Sequence, residues 1–280
     1  MIRIITDSTC DLSAETLARL DVERLPLIVN FGSQSFRDGV DMNHEEFYRR
    51  LAEADELPTT SGLNPMDLAR VFADHRANGD EVVGIFLSSE LSSTVQSANL
   101  AREAVGPDGI YIVDSRQVTL GLGLLIERAA ALRDSGLSAA ELAAAVEELT
   151  ERQRLIAVVD TLKYLKMGGR ISAAAAMVGG MLGISPIVAV QNGRVELIGK
   201  SRGRKAALRW MSEHMQKEEI DLSQTIAFGH SGCPEAMQEC MEHFSDLCEH
   251  ASSILTGSIG CVVGTHAGPG ATGLTYFVKK

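Results

Sequence analysis

The chain has 280 residues, 45% of them hydrophobic and 22% charged, enough apolar side chain to bury one large core or two modest ones, which excludes a disordered chain. Lys plus Arg number 26 against 37 Asp plus Glu, a formal net charge of −11, which argues against a nucleic-acid binder and against general adsorption to anionic lipid. The five cysteines, Cys10, Cys233, Cys240, Cys248 and Cys261, are odd in number and form no C-x-x-C pair, so neither a disulfide framework nor a zinc site fits and reduced thiols in a cytoplasmic protein are expected.

The first half alternates short β-branched runs with helical patterns. Arg3–Ser8 reads as a strand, and its Arg3 and Asp7 are foreign to a secretory signal. Asp11 or Ser13 caps a helix through Leu20, and Arg24–Phe31 reads as a second strand. Helices follow at Asn43–Ala54 and Pro65–Ala77, the second with Asn64 at N-cap and Pro65 at N1. Glu81–Leu87 is a buried strand, then a helix runs from about Ser93 to Val105. Ile110–Val113 is a strand, and helices are expected over Leu120–Ser135 and Ala139–Gln153. This alternation implies βαβ units and a mainly parallel sheet.

The second half changes pattern. Leu155–Thr161 reads as a strand. Ile171–Gln191 carries no charge and is long enough to nominate a membrane span. Glycines and Ser185-Pro186 interrupt it, so the better parse is a short Ala-rich helix, a turn at Gly183–Pro186 and a strand. Asn192-Gly193 marks a hairpin joining Ile187–Val190 to Val195–Ile198. A basic helix at Arg204–Met215, a strand at Thr225–Gly229 and a helix over Glu235–Glu242 follow. The tail reads as a strand near Ile259–Val263, a Gly-rich loop and a last strand, Leu274–Val278. The expected architecture is two packed α/β domains, residues 1–154 with a mainly parallel sheet and residues 155–280 with a mixed sheet containing the hairpin.

Several runs suit an anion. Leu87–Thr94 (LSSELSST) follows a strand and opens a helix, so Ser92, Thr94 and free first-turn amides form a potential carboxylate or phosphate site. Plain N-capping by one serine would use the same residues. Pro58–Pro65 (PTTSGLNP) is a second hydroxyl cluster, with Thr60 and Ser61 inside it. Two such loops can converge on one carboxyl edge of a sheet, although a polar loop before the Asn64 cap explains the run as well. Gly264-Thr265-His266 places a histidine between glycines, where it can donate to an anion. Arg170 ends a Lys166-Met167-Gly168-Gly169-Arg170 run that suits a mobile anion clamp. Arg202 belongs to the basic stretch Lys200–Lys205, which could equally be a solvated face.

Other chemistry is not supported. Gly268-x-Gly270-x-x-Gly273 mimics a dinucleotide fingerprint, but the following helix and strand have no room, and no Walker A sequence is present. No nucleophile elbow surrounds Ser92, and neither metal ligands nor a paired acid and base stand out.

The ordered set IITDSTCDLS, TTSGLNP, LSSELSSTVQSA, VVDSRQVTLGLG, VDTLKYLKMGGRIS, KSRGRKA and GTHAGPGATG resembles the DegV family from Arg3 to Phe277. The resemblance implies a cytoplasmic two-domain α/β protein that holds one long-chain fatty acid between its domains and serves as the binding subunit of a fatty acid kinase. It implies that Thr60, Ser61, Ser92 and Ser93 bind the carboxylate, with His266 in the same polar network. It assigns Arg202 to that network in kinase-linked members and Arg170 to the face that meets the kinase. The chain departs from the family pattern at Ser93, Val95, Gly62-Leu63 and Lys166-Met167.

The expected function is therefore fatty-acid binding and presentation of the carboxylate to an ATP-dependent kinase, which forms an acyl phosphate. The expected chain has no catalytic residue of its own, no metal, no cofactor beyond the bound fatty acid, no nucleic-acid partner and no stable membrane insertion. The rivals are a free-standing hydrolase or acyltransferase using Ser92 and His266, and a passive lipid store or sensor.

Overall fold

A computed structural model describes residues 1–54, 56–171 and 183–280. Apolar β-branched runs in the first half supply β1 (Ile2–Asp7), β2 (Val22–Leu25), β6 (Glu81–Phe86) and β7 (Ile110–Asp114), which form a parallel sheet in the order β2-β1-β6-β7. Helices α1 (Ala14–Arg19), α2 (His44–Glu53), α3 (Pro65–Ala77), α4 (Thr94–Val105), α5 (Leu120–Asp134) and α6 (Ala139–Arg152) connect or cover its strands. The α3 bounds match the Asn64 and Pro65 start signal, because that cap is local: Asn64 Oδ1 accepts from Met66 N.

The expected strand Arg24–Phe31 is two strands in two sheets. Pro26 cannot donate to a ladder, so β2 ends at Leu25 and β3 (Ile28–Phe31) starts a separate sheet. That sheet is antiparallel, with the order β4-β3-β5, and includes β4 (Gln34–Arg37) and β5 (Thr59–Ser61). Both partners are polar and short, so neither shows the apolar alternation that marks a strand in sequence.

The second half builds one mixed sheet, β10-β9-β8-β13-β11-β12, in which β11 and β12 pair in parallel and the other neighbours are antiparallel. The strands are β8 (Gln153–Val158), β9 (Ile184–Gln191), β10 (Arg194–Arg202), β11 (Thr225–His230), β12 (Ser253–Ser258) and β13 (Thr272–Phe277). Helices α7 (Lys163–Met167), α8 (Arg204–Met215), α9 (Pro234–His243), α10 (Ser245–His250) and α11 (Cys261–Ala267) complete it. The hairpin turns at Asn192 and Gly193, both at positive φ, as its sequence requires. It begins earlier than expected: only Gly183, at φ +78, is turn-like, and Pro186 lies inside β9. The expected Ala-rich helix lies outside the described residues. No described helix is long and apolar enough to cross a membrane.

The tail differs most from its sequence reading. Ile259–Val263 is not a strand, and Gly264 and His266 do not sit in a loop; Cys261–Ala267 is helical. Its N-terminal amides are capped from far away. Gly260 N donates to Asp11 Oδ1 at 3.0 Å and Cys261 N to Asp38 Oδ1 at 3.1 Å. Asp11 and Asp38 are buried and also accept from Thr119 Oγ1 and Ser8 Oγ. These distant carboxylates satisfy first-turn donors that no neighbouring residue serves. Cys261 and Val262 thereby join the core of the first half beside Phe47 and Leu122.

Candidate functional site

A cavity of about 400 Å³ lies where the two halves meet, inside the range of small-molecule sites. Leu27, Leu87 and Val118 line it from the first half; Leu155, Val159, Val188, Val190, Val262 and Ala271 line it from the second. Its polar lining is Thr60, Ser61, Ser92, Ser93, Arg170 and His266, with Thr119.

All of these but Thr119, which donates to Asp11 instead, form one wall. In β5, Thr60 Oγ1 lies 2.9 Å from His266 Nε2. Strand alternation turns the neighbours away: Thr59 and Ser61 hydroxyls accept from Asn30 Nδ2, so Ser61 borders the cavity with its hydroxyl engaged on the outer side. Gly62 then brings the β5 loop against the start of α4, where an added Cβ would stand 3.0 Å from Thr94 Oγ1, 3.2 Å from Ser92 Oγ and 3.3 Å from Ser93 Oγ. Ser92 Oγ contacts Thr94 Oγ1 at 3.0 Å, and Ser93 occupies the α4 N-cap without a side-chain cap bond. Ser88 and Ser89, in the same run, serve the fold instead: Ser88 Oγ donates to Gly193 O at the hairpin tip and Ser89 Oγ to Asp114.

His266 is held from behind by glycine. A Cβ on Gly168 would overlap His266 Nδ1, so the end of α7 lies flush against the ring. Burial and the Arg170 guanidinium push the imidazole down to about 4, so it is neutral near pH 7. Nδ1 is buried with no hydrogen-bond partner among the described residues. A buried bare acceptor is less costly than a buried bare N–H, which places the proton on Nε2. Nε2–H then donates to Thr60 Oγ1 and leaves the Thr60 proton free to be donated to an anion.

Arg170 closes the wall. Nε donates to Leu91 O at 3.1 Å and Nη1 to Gly168 O at 2.5 Å, which ties the α4 approach to the end of α7. A second recess of about 320 Å³ shares Thr60, Arg170 and His266 with the cavity and is bordered by exposed Met167. The wall therefore separates an apolar interior from an outer pocket. Arg202 is not brought to it; the residue is exposed at the end of β10, opposite Ile184, and is not a lining residue. Arg204 turns to Asp160 Oδ1 and Gly270 O.

The hydrolase pairing does not form, since His266 meets Thr60 and Ser92 meets Thr94. Among the described residues no cluster of three or more His, Cys, Asp or Glu could hold a metal. Sequence reasoning missed three contributors. Thr119 lines the cavity at φ +52 and donates to buried Asp11; Asp11 and Asp38 anchor the helix that carries His266. In the sequence Asp11 shows only as a candidate cap for α1, and Asp38 and Thr119 carry no local signal.

The chain matches the DegV family model over residues 1–279. It is 36% identical over 280 residues to a DegV domain-containing protein of Caldanaerobacter subterraneus subsp. tengcongensis, covering 100% of this chain and 99% of that one. Among solved structures, it resembles a DegV family protein from Thermus thermophilus described by its fatty acid binding, with a TM-score of 0.90, 31% identity and 99% of both chains covered. A stearic acid-binding protein from Eubacterium ventriosum superposes with a TM-score of 0.84 at 31% identity, over 100% of this chain and 99% of that one.

Proposed function

The chain belongs to the DegV family, and on that premise we propose that it binds one long-chain fatty acid in the cavity and presents the carboxylate to a separate ATP-dependent kinase. The carrying observation is the join between an apolar cavity of about 400 Å³ and a wall of Thr60, Ser92, Ser93 and His266. Burying about fourteen methylenes contributes on the order of 11 kcal/mol, and binding costs offset several of these. The carboxylate would be costly to bury without donors. Thr60, Ser92 and Ser93 hydroxyls and the first amides of α4 supply them, while neutral His266 holds Thr60 in its donating role. Ser61 borders this set. Relatives described by fatty-acid binding support the reading.

In the proposed reaction a carboxylate oxygen attacks the terminal phosphoryl group of ATP held by the kinase, ADP leaves, and an acyl phosphate remains bound here. This chain provides substrate and product binding in the cytoplasm, between α/β domains spanning 1–154 and 155–280. All five cysteines are free thiols, which suits a reducing compartment. The outer recess beside Arg170 is the side from which a phosphoryl group would approach, and Arg202 offers an exposed cation for the partner's surface.

Replacing Arg202 by alanine is expected to leave fatty-acid affinity within about twofold, because an exposed charge contributes little, and to lower kinase-dependent acyl-phosphate formation. Arg170→Ala should lower that rate further and weaken binding a few-fold, because Arg170 also braces Leu91 and Gly168. Lipid titration beside phosphorylation at saturating fatty acid measures both. Unchanged phosphorylation in both variants would remove the kinase-facing assignment.

A further inference from the structure

A small chamber adjoins the cavity. A void of about 40 Å³ shares Thr119, Leu155, Ala157 and Ile259 with the main cavity. Leu120, the first residue of α5, borders it on the helix side, and Gly229 and Gly273 border it on the sheet side. The space has a cause in the register of three adjacent strands. Ala157 of β8 stands opposite Gly273 of β13, and Gly273 stands opposite Gly229 of β11. Nothing larger than a methyl group projects from these three positions, which leaves a small void beside Leu120 whose remaining lining includes Leu155, Ile259 and Thr275.

The chamber is dry in character. Two threonines border it, but both hydroxyl protons are committed elsewhere: Thr119 Oγ1 donates to Asp11 Oδ2 at 2.6 Å, and Thr275 Oγ1 to Arg154 O at 2.8 Å. A water molecule would find too few partners to replace those it leaves. The chamber is also remote from the polar wall. Ile259 lies ahead of the start of α11 and His266 in its last turn, and the helical stretch from Cys261 to His266 alone spans roughly 7.5 Å.

We infer that this chamber is a specificity site for an acyl chain carrying a methyl branch, with Leu120 and Gly229 setting its size. The inference rests on the fatty-acid reading above. A straight chain running along the main cavity leaves the chamber empty. A branch directed between Thr119 and Ala157 fills it and removes one more methyl group from water.

The test is competition binding of a straight-chain saturated acid against the positional isomers of its methyl-branched homologue, which keep the same main-chain length and add one methyl group, with the branch moved along the chain. The native protein should bind at least one isomer about four- to tenfold more tightly than the straight chain. Gly229→Ala places a Cβ 3.2 Å from Leu120 Cδ1 and should bring that ratio to parity or below. Leu120→Ala enlarges the chamber and should raise the ratio for a bulkier branch. A native preference for the straight chain over every isomer would overturn the inference, as would one unchanged ratio in both variants. Binding of neither kind of acid would instead remove the fatty-acid reading itself, and this site with it.

Discussion

Gly168→Ala is expected to weaken fatty-acid binding by about a hundredfold. The backbone there is ordinary, at φ −74, so alanine brings no conformational strain. The effect is steric. The new Cβ would overlap His266 Nδ1, and either the ring leaves Thr60 or the end of α7 withdraws. Withdrawal also loosens Arg170, which grips Gly168 O. Either response disorders donors to the carboxylate, and hydrogen bonds to a charged group are worth about 1.5–3 kcal/mol each. Gly169→Ala is the matched comparison. Gly169 sits at φ +70 with nothing near its missing Cβ, so alanine should cost about 1 kcal/mol of stability and leave affinity within a few-fold. Titration of both variants with one fatty acid measures the contrast. Equal affinities would show that the flush contact behind His266 does not position the site.

The second large effect is on stability against pH. His266 titrates near 4 in the folded chain and near 6.5 once unfolded. The unfolded state therefore takes up the proton first as pH falls. The stability associated with neutral His266 is fully present above about 6.5, declines through the interval, and is lost below about 4, a change of about 3 kcal/mol. Asp7 acts in the opposite sense. Burial raises its carboxyl to about 6, so the folded state retains that proton longer and Asp7 disfavours folding as pH rises through the same interval. The two contributions are separated by subtraction. Denaturant unfolding of the native chain and of His266→Gln across this range should give curves that converge toward acid by about 3 kcal/mol. Parallel curves would mean that the imidazole is not held neutral by its site.

The sequence made legible what local chemistry decides. Helix α3 starts where Asn64 and Pro65 say it should, and the hairpin turns at Asn192-Gly193. The βαβ alternation and the ordered motifs led to the family and the α/β fold, with a parallel sheet in the first part and a mixed sheet in the second. What stayed hidden depends on residues far apart. Helix α11 resembles a β-branched run followed by a loop, because its caps, Asp11 and Asp38, come from the other end of the chain. The five hydroxyls of the 88–94 run are equivalent on paper. The fold divides them by giving Ser88 to the hairpin and Ser89 to Asp114, while Ser92 and Ser93 face the cavity. Gly168 was visible as half of a Gly-Gly pair, which suggests mobility. The fold uses it for close approach to His266 instead.

A fatty acid held in the cavity is tested most directly by mass spectrometry of an organic extract of the natively purified protein. Long-chain fatty acid in near-equimolar amount, falling sharply in the extract of Gly168→Ala, is the predicted result. An extract free of long-chain acids, from a native protein that also fails to take one up in a binding titration, would contradict it.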